Sequence, residues 1–285
     1  MKRIMPVLFL TVLGFACGAD EKAFAPQSLY VSSGDLKIRF DAKKFYTMNR
    51  IEYKGKLLGV DNPGSHYGTV FSFAGIGFIG TGHTENQKEN LKSLEAWSNG
   101  KKIGLGNLKN NVEIRSSDFR LVRKSEIKGI EISNTIEIKG NAIREEVELA
   151  PAEDVKIAFV YDFMHPWTIE MDRYAAETDD GKEENGTFIG DGKFKVNKGF
   201  NWTAFYSASL NMGTVLRKIE NSSPGKSIIM LWDKPPTYRK FYLRSSAGET
   251  LKKGAVYKLA LKTGFFESQP EEWLSVVKKT ADNLK

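Results

Sequence analysis

The stretch GIEISNTIEIKGNAIREEVEL (residues 129–149) carries the pattern that decides the fold. Apolar and polar residues alternate along 130–138 and again along 143–149. A period of two places successive side chains on opposite faces of a strand, so each half predicts a β-strand with one dry and one wet face. The Gly140-Asn141 pair between the halves is typical of a tight turn. The stretch therefore predicts an antiparallel hairpin.

The same alternation recurs on both sides of this hairpin. Turns that contain Gly, Asn or Pro separate most of the repeats, and no helical pattern lies between them. Such spacing favours stacked antiparallel sheets over β-α-β units. The further predicted strands are 36–40, 112–115, 155–163, 201–209, 215–220, 227–232, 238–245 and 255–265.

One segment, residues 270–284, has a helical period instead. Its apolar stripe follows Pro270, and acidic residues come early and lysines late, which suits the polarity of a helix. The stripe consists of Trp273, Val276, Val277, Thr280 and Leu284. The sequence thus predicts an all-β fold, a large antiparallel β-sandwich with one C-terminal α-helix, and a single domain over residues 20–285.

The first 19 residues have the pattern of a signal peptide. Lys2 and Arg3 are followed by an apolar run at 4–15 that is too short to span a bilayer, and small residues come next. Residues 1–19 are therefore predicted to direct export. The destination is the periplasm, the outer membrane as a lipoprotein, or the medium.

The single cysteine, Cys17, leaves two alternatives open. A lipoprotein signal would end before Cys17 and give a lipid anchor to the membrane, although Gly14 stands where the usual motif has leucine. Ordinary cleavage after Ala19 would discard the cysteine. In both cases the mature fold has no disulfide.

Composition bounds the partners. The chain has 285 residues, is 41% hydrophobic and 12% aromatic, and carries a net charge of +7, which describes a globular protein. No block of five like charges is present, so no nucleic-acid partner is expected. A mildly basic surface suits an acidic polysaccharide, and an ordinary solvated surface explains it equally. The sequence does not fix an oligomeric state.

The glycine-rich segment GIGFIGTGHTE (residues 75–85) is the first candidate for chemistry. His83 and Glu85 stand two apart, so an extended backbone points both to one side. We interpret them as candidate catalytic residues. The alternative is a glycine-rich hairpin in which the two side chains simply pair with each other.

The other histidines also lie at strand ends or in Gly/Pro loops, where sites on rigid scaffolds usually sit. His66 and Tyr67 in the segment 62–68 are candidate sugar contacts. His165, before Pro166, is a further catalytic candidate, and Trp167 could stack on a sugar ring. For all four the alternative is structural packing.

The segment 231–243 groups aromatic residues with Arg and Lys. Sugar C–H faces stack on aromatic rings while sugar hydroxyls need hydrogen bonds, so Trp232, Tyr238 and Arg239 are candidate substrate-binding residues. Plain strand alternation is the alternative: Tyr238, Lys240 and Tyr242 on one face, and Arg239, Phe241 and Leu243 on the other.

Several site classes are disfavoured. The sequence has no G-x-S-x-G motif for acyl transfer and no H-E-x-x-H or H-x-H spacing for zinc. Three histidines could still bind a metal, but the spacing favours none. We expect no metal and no cofactor.

The chain resembles the β-supersandwich group, which includes galactose-mutarotase-like domains and the sandwich domains of polysaccharide lyases. The resemblance is spread over most of the chain rather than concentrated in one motif. It rests on 36–40 with 51–58, the glycine-rich His83 segment, 202–206, 238–243, and 264–266 before Trp273.

This resemblance implies a sugar or polysaccharide as partner. A mutarotase-like reaction would use His83 or His165 to protonate the ring oxygen and Glu85 to remove the anomeric proton. A lyase would act by β-elimination on a uronate polymer, with Tyr67 or His66 as base and Arg239 neutralising the carboxylate.

A third alternative is a non-catalytic structural or adhesive protein of the cell envelope, since a fold does not fix a function. The two classes differ in one geometric expectation. A sugar site predicts that His66, His83, His165 and Tyr238 line one pocket, whereas an envelope protein would leave them dispersed.

Overall fold

The structure is a computed structural model that describes residues 26–108 and 110–285. The predicted signal peptide and Cys17 lie outside the described residues. Within them, no helix combines the length and apolarity needed to cross a bilayer.

The structure contains two large sheets, as the alternating sequence predicts. The strands are β1 (Ser28–Ser33), β2 (Leu36–Asp41), β3 (Met48–Tyr53), β4 (Lys56–Gly59), β5 (Val70–Phe73), β6 (Gly77–Gly80), β7 (Asn90–Ser98), β8 (Lys101–Ile103), β9 (Asn111–Arg115), β10 (Asp118–Ile127), β11 (Ile130–Lys139), β12 (Ala142–Pro151), β13 (Val155–Lys156), β14 (Phe159–Trp167), β15 (Arg173–Thr178), β16 (Glu183–Thr187), β17 (Phe194–Lys198), β18 (Phe200–Ser207), β19 (Met212–Asn221), β20 (Ile228–Lys234), β21 (Tyr238–Ser245), β22 (Thr250–Leu251) and β23 (Tyr257–Glu267). Short 3-10 turns lie at Ala42–Lys44 and Leu105–Asn107.

The strands divide between the sheets in an order that the chain does not follow. Sheet A runs β17-β20-β21-β14-β4-β3-β2-β1-β9, and β5 with β6 attaches to β14. Sheet B runs β16-β15-β18-β19-β23-β12-β11-β10-β7-β8. All pairs are antiparallel except β1 with β9. One large hydrophobic core lies between the sheets.

The hairpin of residues 129–149 is confirmed. Strands β11 and β12 pair from Lys139 with Ala142 onwards, around a two-residue turn in which Gly140 has a φ of +56°. The isoleucines of β11 are buried, as the period of two requires. The hairpin forms the middle of sheet B, next to β10 and β23.

The C-terminal helix is also confirmed. Helix α1 spans Trp273–Asn283 and packs on the outer face of sheet B. Trp273 stacks on Tyr206 with ring centroids 5.2 Å apart, and Val277 is buried in the same cluster. The apolar stripe therefore covers a face of the sheet that would otherwise expose aromatic rings.

The predicted strand 155–163 differs most from the structure. It is divided into β13 and β14, and β14 continues through the proline to Trp167. Proline removes one donor from the ladder. Its carbonyl still accepts from the Val60 N–H at 3.0 Å, and the next residue, Thr168, donates to Leu58 at 2.7 Å. The ladder on this side of β14 therefore survives the proline.

Candidate functional site

Alternation along β21 decides which of its side chains can meet a ligand. Tyr238, Lys240 and Tyr242 pair with outward-facing partners on the neighbouring strands, so they lie on the outer face of sheet A. Arg239 and Phe241 point the opposite way, toward the core. The alternation expected from the sequence is therefore found, and it divides this segment between two environments.

The glycine-rich segment brings His83 to this outer face. Strands β5 and β6 form a hairpin, and the chain then turns sharply at Gly82, which has a φ of +72°. A Cβ at Gly82 would lie 2.4 Å from Thr47 Oγ1, so the close approach requires glycine. The Gly82 N–H donates to buried Glu89 at 2.7 Å. These contacts fix the position of the following histidine.

His66, His83 and Glu85 meet at the end of that turn. The two imidazole rings stack with centroids 3.9 Å apart and an interplanar angle of 30°. Glu85 Oε1 lies 3.2 Å from His66 Nε2, and Glu85 Oε2 lies 3.9 Å from His83 Nδ1. We call these three residues together with Lys240 the histidine cluster. It combines two loops that are separate in the sequence.

Burial sets the charge of the cluster. It lowers the pKa of His66 to about 4, with a further contribution from the positive charge of Lys240. It also lowers the pKa of His83 to about 3, assisted by His66 and Lys240. Both imidazoles are therefore neutral at neutral pH, and each has one nitrogen that donates and one that accepts.

Lys240 is a buried lysine that lies between two tyrosine rings. Only 2% of its surface is exposed, and burial, together with Lys234, lowers its pKa to about 7. Its ammonium lies over the rings of Tyr238 and Tyr242, at 5.6 and 5.0 Å from their centroids. Within the described part of the chain it has no ion-pair partner. At neutral pH, Lys240 is thus divided between its charged and uncharged forms.

The cluster has the groups that proton transfer needs. Neither nitrogen of His83 has a hydrogen-bond partner among the described residues, although the ring is buried. Glu85 adds an exposed carboxylate. The ligand atoms of His66, His83 and Glu85 lie within 4.8 Å of one another, so the same three residues could also hold a divalent metal such as zinc.

A small cavity adjoins the cluster. It has a volume of about 140 Å³, and its walls include Lys44, Asp61, Ser65, His66 and Tyr67. Tyr67 is buried, and its hydroxyl donates to the Pro166 carbonyl at 3.3 Å. It therefore forms the floor of the cavity rather than an open face.

Two of the predicted sugar contacts lie beside the cluster. Tyr238 donates from its hydroxyl to the Gly64 carbonyl at 3.1 Å, in the same loop as His66. Trp232 lies next to it, with ring centroids 6.5 Å apart, and remains partly exposed on the outer face. The outer face of sheet A thus brings together His66, His83, Glu85, Trp232 and Tyr238.

The structure places His165, Trp167 and Arg239 on the inner face instead. His165 Nε2 lies 2.7 Å from Glu145 Oε1, a residue of the opposite sheet, and the imidazole is fully buried. His165 therefore does not line a pocket with His66, His83 and Tyr238 as a sugar site predicted.

The other two inward residues have structural partners. Trp167 packs in the core against Phe205 and Phe265. Arg239 forms an ion pair with buried Asp233, whose second carboxylate oxygen accepts from the Gly190 N–H at 2.7 Å. Both side chains are thus occupied within the sandwich.

Lys240 is a site residue that the sequence prediction missed. The signal was present, because strand alternation places this lysine between two tyrosines on one face. A lysine between aromatic neighbours on one strand face is expected to have its ammonium group covered by those rings, which is unusual for lysine. Glu145 was also missed, although the period of two along 143–149 places it on the buried face between Ile143 and Val147.

Comparisons with solved structures identify the fold. A protein of Escherichia coli K12 classed as an aldose 1-epimerase aligns over 84% of this chain and 99% of its own, at 12% identity and a TM-score of 0.50. A protein from Synechocystis sp. PCC 6803 aligns over 86% and 97% at 9% identity, with a TM-score of 0.55. The α-N-acetylgalactosaminidase NagBb of Bifidobacterium bifidum aligns over 89% of this chain but 38% of its own, at 11% identity and a TM-score of 0.54.

Comparisons of the sequence give no match, in contrast to the comparisons of the structure. No family model and no curated protein matches the chain. At such low identity the structural matches speak for the fold alone. The chain shares the large antiparallel β-sandwich fold of these solved structures.

Proposed function

We propose that this chain is an exported carbohydrate-active protein of mutarotase-like type, which binds a sugar on the outer face of sheet A beside the histidine cluster. One observation carries the proposal: His83, whose two nitrogens have no hydrogen-bond partner among the described residues, lies next to Glu85, and Trp232 and Tyr238 stand beside Lys240 of the same cluster. Proton donor, proton acceptor and stacking surface are what a sugar ring needs. Export is proposed from the Lys2-Arg3 start and the apolar run that follows.

The cluster supports a simple reaction. Interconversion of anomers requires a proton on the ring oxygen and removal of the anomeric hydroxyl proton, so that the C–O ring bond breaks and an open aldehyde forms. Protonated His83 donates the first proton, and the Glu85 carboxylate accepts the second. Burial lowers the pKa of His83 to about 3, so only its protonated fraction performs this step at neutral pH. Ring closure on either face returns both protons. His165 has no part in this scheme, since a sugar does not reach the core between the sheets.

Glu85→Gln tests the reaction. The substitution removes the proton acceptor, so we expect the catalysed rate of mutarotation to fall by about 10²-fold or more. Polarimetry of freshly dissolved α-anomers of glucose and galactose measures that rate. Because the Glu85 side chain is 58% exposed, the variant should fold normally. Glu153→Gln, at an exposed turn, is the matched control. Equal rates in both variants would exclude Glu85 as the base.

Polysaccharide β-elimination is the second candidate, and Lys240 favours it. A pKa near 7 is the range in which an amine acts as a general base, and a base must remove the C5 proton of a uronate. Tyr67 suits that role poorly, because burial raises its pKa well above 10. Arg239 faces the core.

A glycan array with the mature protein, followed by ultraviolet absorbance of any bound uronate polymer, separates the candidates. New absorbance from an unsaturated uronate would establish elimination, and binding without it would leave the mutarotase-like reaction. If no glycan binds and no anomer is turned over, the envelope protein becomes the better explanation.

A further inference from the structure

Arg123 is a buried cation on the inner face of sheet B. It stands on β10, opposite Asn134 of β11 in the strand register, and 1% of its surface is exposed. Alternation along β10 places it on the same face as Phe119 and Leu121, which belong to the core. Its Nη1 donates to Asn134 Oδ1 at 3.0 Å. The other donors of the guanidinium reach two loops.

The first of these loops joins β6 to β7 (residues 81–89) and carries His83. Arg123 Nη2 lies 2.6 Å from both carboxylate oxygens of Glu89, which is 4% exposed. The same carboxylate accepts from the Gly82 N–H at 2.7 Å through its Oε1. A path of two contacts therefore runs from sheet B through Glu89 to the residue that precedes His83.

The second loop joins β2 to β3 (residues 42–47). Arg123 Nε donates to the Phe45 carbonyl at 3.0 Å. Phe45 and Tyr46 have φ values of +50° and +57°, in the left-handed region that residues with a side chain rarely adopt. Such a conformation persists only where surrounding contacts impose it. Arg123 supplies one of these contacts.

The two loops meet in the wall of the cavity beside the histidine cluster. Thr47 of the second loop packs so closely on Gly82 of the first that a Cβ at Gly82 would not fit. Thr47, Gly82 and His66 line the same cavity. One guanidinium thus sets the relative position of both loops, and His83 follows directly after the point where they touch.

Stability alone does not account for this network. A buried ion pair loses the hydration of both charges, and the attraction between the ions does little more than offset that loss. An apolar pair of similar volume is often equally stable or more stable at such a place. Directed hydrogen bonds to two loops are what an apolar pair could not supply. The contribution of Arg123 and Glu89 is therefore geometric.

We propose that Arg123 and Glu89 are positioning residues, which act from sheet B through Gly82 to hold His83 beside Glu85. A displacement of about 1 Å in a reacting group can cost about 10²-fold in rate. The inference rests on the proposed function for the role of His83. It adds that a reaction on the outer face of sheet A depends on a side chain of the opposite sheet.

The double variant Glu89→Leu/Arg123→Met tests the proposal. Because neither charge remains, we expect the protein to fold. Its mutarotation rate should fall by about 10²-fold, with the loss in kcat and little change in KM, because the proton donor is displaced while the sugar contacts stay. Lys92→Met/Glu126→Gln is the matched control, since it removes an exposed ion pair of 2.6 Å that includes another residue of β10. This control should keep the wild-type rate.

Nuclear magnetic resonance of the imidazole rings measures the position of His83 without any turnover. The chain has three histidines, so three sets of ring signals are expected from the protein without a histidine tag. The stacked rings of His66 and His83 shift each other's signals, and the double variant should change both. His165, held in the core by Glu145, is the internal reference. A folded double variant with wild-type signals for His66 and His83 would overturn the proposal.

Glu89→Gln separates positioning from charge and serves equally if the double variant does not fold. The amide retains an oxygen that accepts from the Gly82 N–H, whereas Arg123 loses its counter-ion. We expect lower stability, wild-type imidazole signals and a rate within about tenfold of the wild type. A folded Glu89→Gln protein with displaced His66 and His83 signals would refute the path through Gly82.

The proposed function and this inference can fail separately. If the wild type does not catalyse mutarotation, the function fails, and the imidazole signals still decide whether the network positions His83. Displaced signals in a double variant that keeps the wild-type rate would support the positioning and remove His83 from the acid–base scheme. Mutarotation that depends on Glu85, together with unchanged imidazole signals in the double variant, would leave the function and remove the inference.

Discussion

Lys240 stands on a strand where its neighbours on the same face are tyrosines, and this single residue connects those rings with the histidine cluster. Its position follows from strand alternation, which the sequence reveals. The environment of Lys240 cannot be read from the sequence, because the histidines that share the face come from loops more than 150 positions earlier. A side chain's chemistry is set by what the fold places beside it.

Removal of this charge should change stability in a pH-dependent way. The native pKa of Lys240 is about 7 against an ordinary value of 10.5, so between these values the unfolded chain holds a proton that the native protein lacks. Stability of the wild type therefore rises with pH across this window. Lys240→Met has no group that titrates in this way. Its free energy of unfolding should exceed that of the wild type by the largest amount below pH 7, and this difference should shrink by about 4 kcal/mol toward pH 10.5.

Urea unfolding of both proteins at several pH values from 6 to 10 measures the difference. Lys101→Met, at an exposed position, is the control and should track the wild type. A constant difference between Lys240→Met and the wild type at all pH values would show that Lys240 has an ordinary pKa. Lys240 also lowers the pKa values of His66 and His83, but these lie at about 4 and 3, so the comparison between pH 6 and 10 stays above the range in which the two imidazoles titrate in the wild type.

Elements with a strong local period were predictable, and helix α1 is the clearest case. Its stripe repeats every three to four residues and needs no knowledge of the rest of the chain. The strand around Pro166 was predicted to end too early, because the tolerance of a sheet for proline depends on which neighbour would have accepted the missing hydrogen bond. That neighbour is β4, more than 100 residues away.

The docking of α1 makes a prediction at this scale. Trp273→Ala removes a ring that stacks on Tyr206 and is almost fully buried, so we expect a loss of about 3–5 kcal/mol in the free energy of unfolding. Lys279→Ala, exposed on the same helix, should cost little and serves as control. Urea unfolding followed by circular dichroism measures both. Similar losses in the two variants would mean that α1 contributes by its helicity and not by docking.

Across the whole molecule, the two-sheet architecture was predictable and the order of strands was not. A sequence period of two indicates that a strand has one buried face, but it does not indicate which strand lies beside it. Sheet A places β21 near the N-terminal loops through β14, and only this pairing brings Tyr238 to Gly64. The site therefore depends on the strand order of the whole molecule. The same strand order places His165 on the opposite face of the sheet from His83.

His165 and Glu145 tie the two sheets together, since one comes from β14 of sheet A and the other from β12 of sheet B. A buried pair of this kind is badly disturbed when one partner is lost, because the other is left without compensation. His165→Leu and Glu145→Leu should each lower the free energy of unfolding by about 3–5 kcal/mol. The double variant replaces both polar groups with apolar ones, and it should be less destabilised than the sum of the singles.

Urea unfolding of the four proteins at neutral pH completes this double-mutant cycle, and strict additivity would show that the two side chains do not interact. Polarimetry on the folded double variant then distinguishes a structural histidine from a catalytic one. We expect its mutarotation rate to match that of the wild type, because the proton donor and acceptor of the proposed reaction lie on the other face of sheet A. A stable double variant without turnover would instead place His165 in the reaction and move the sugar from the outer face into the sandwich.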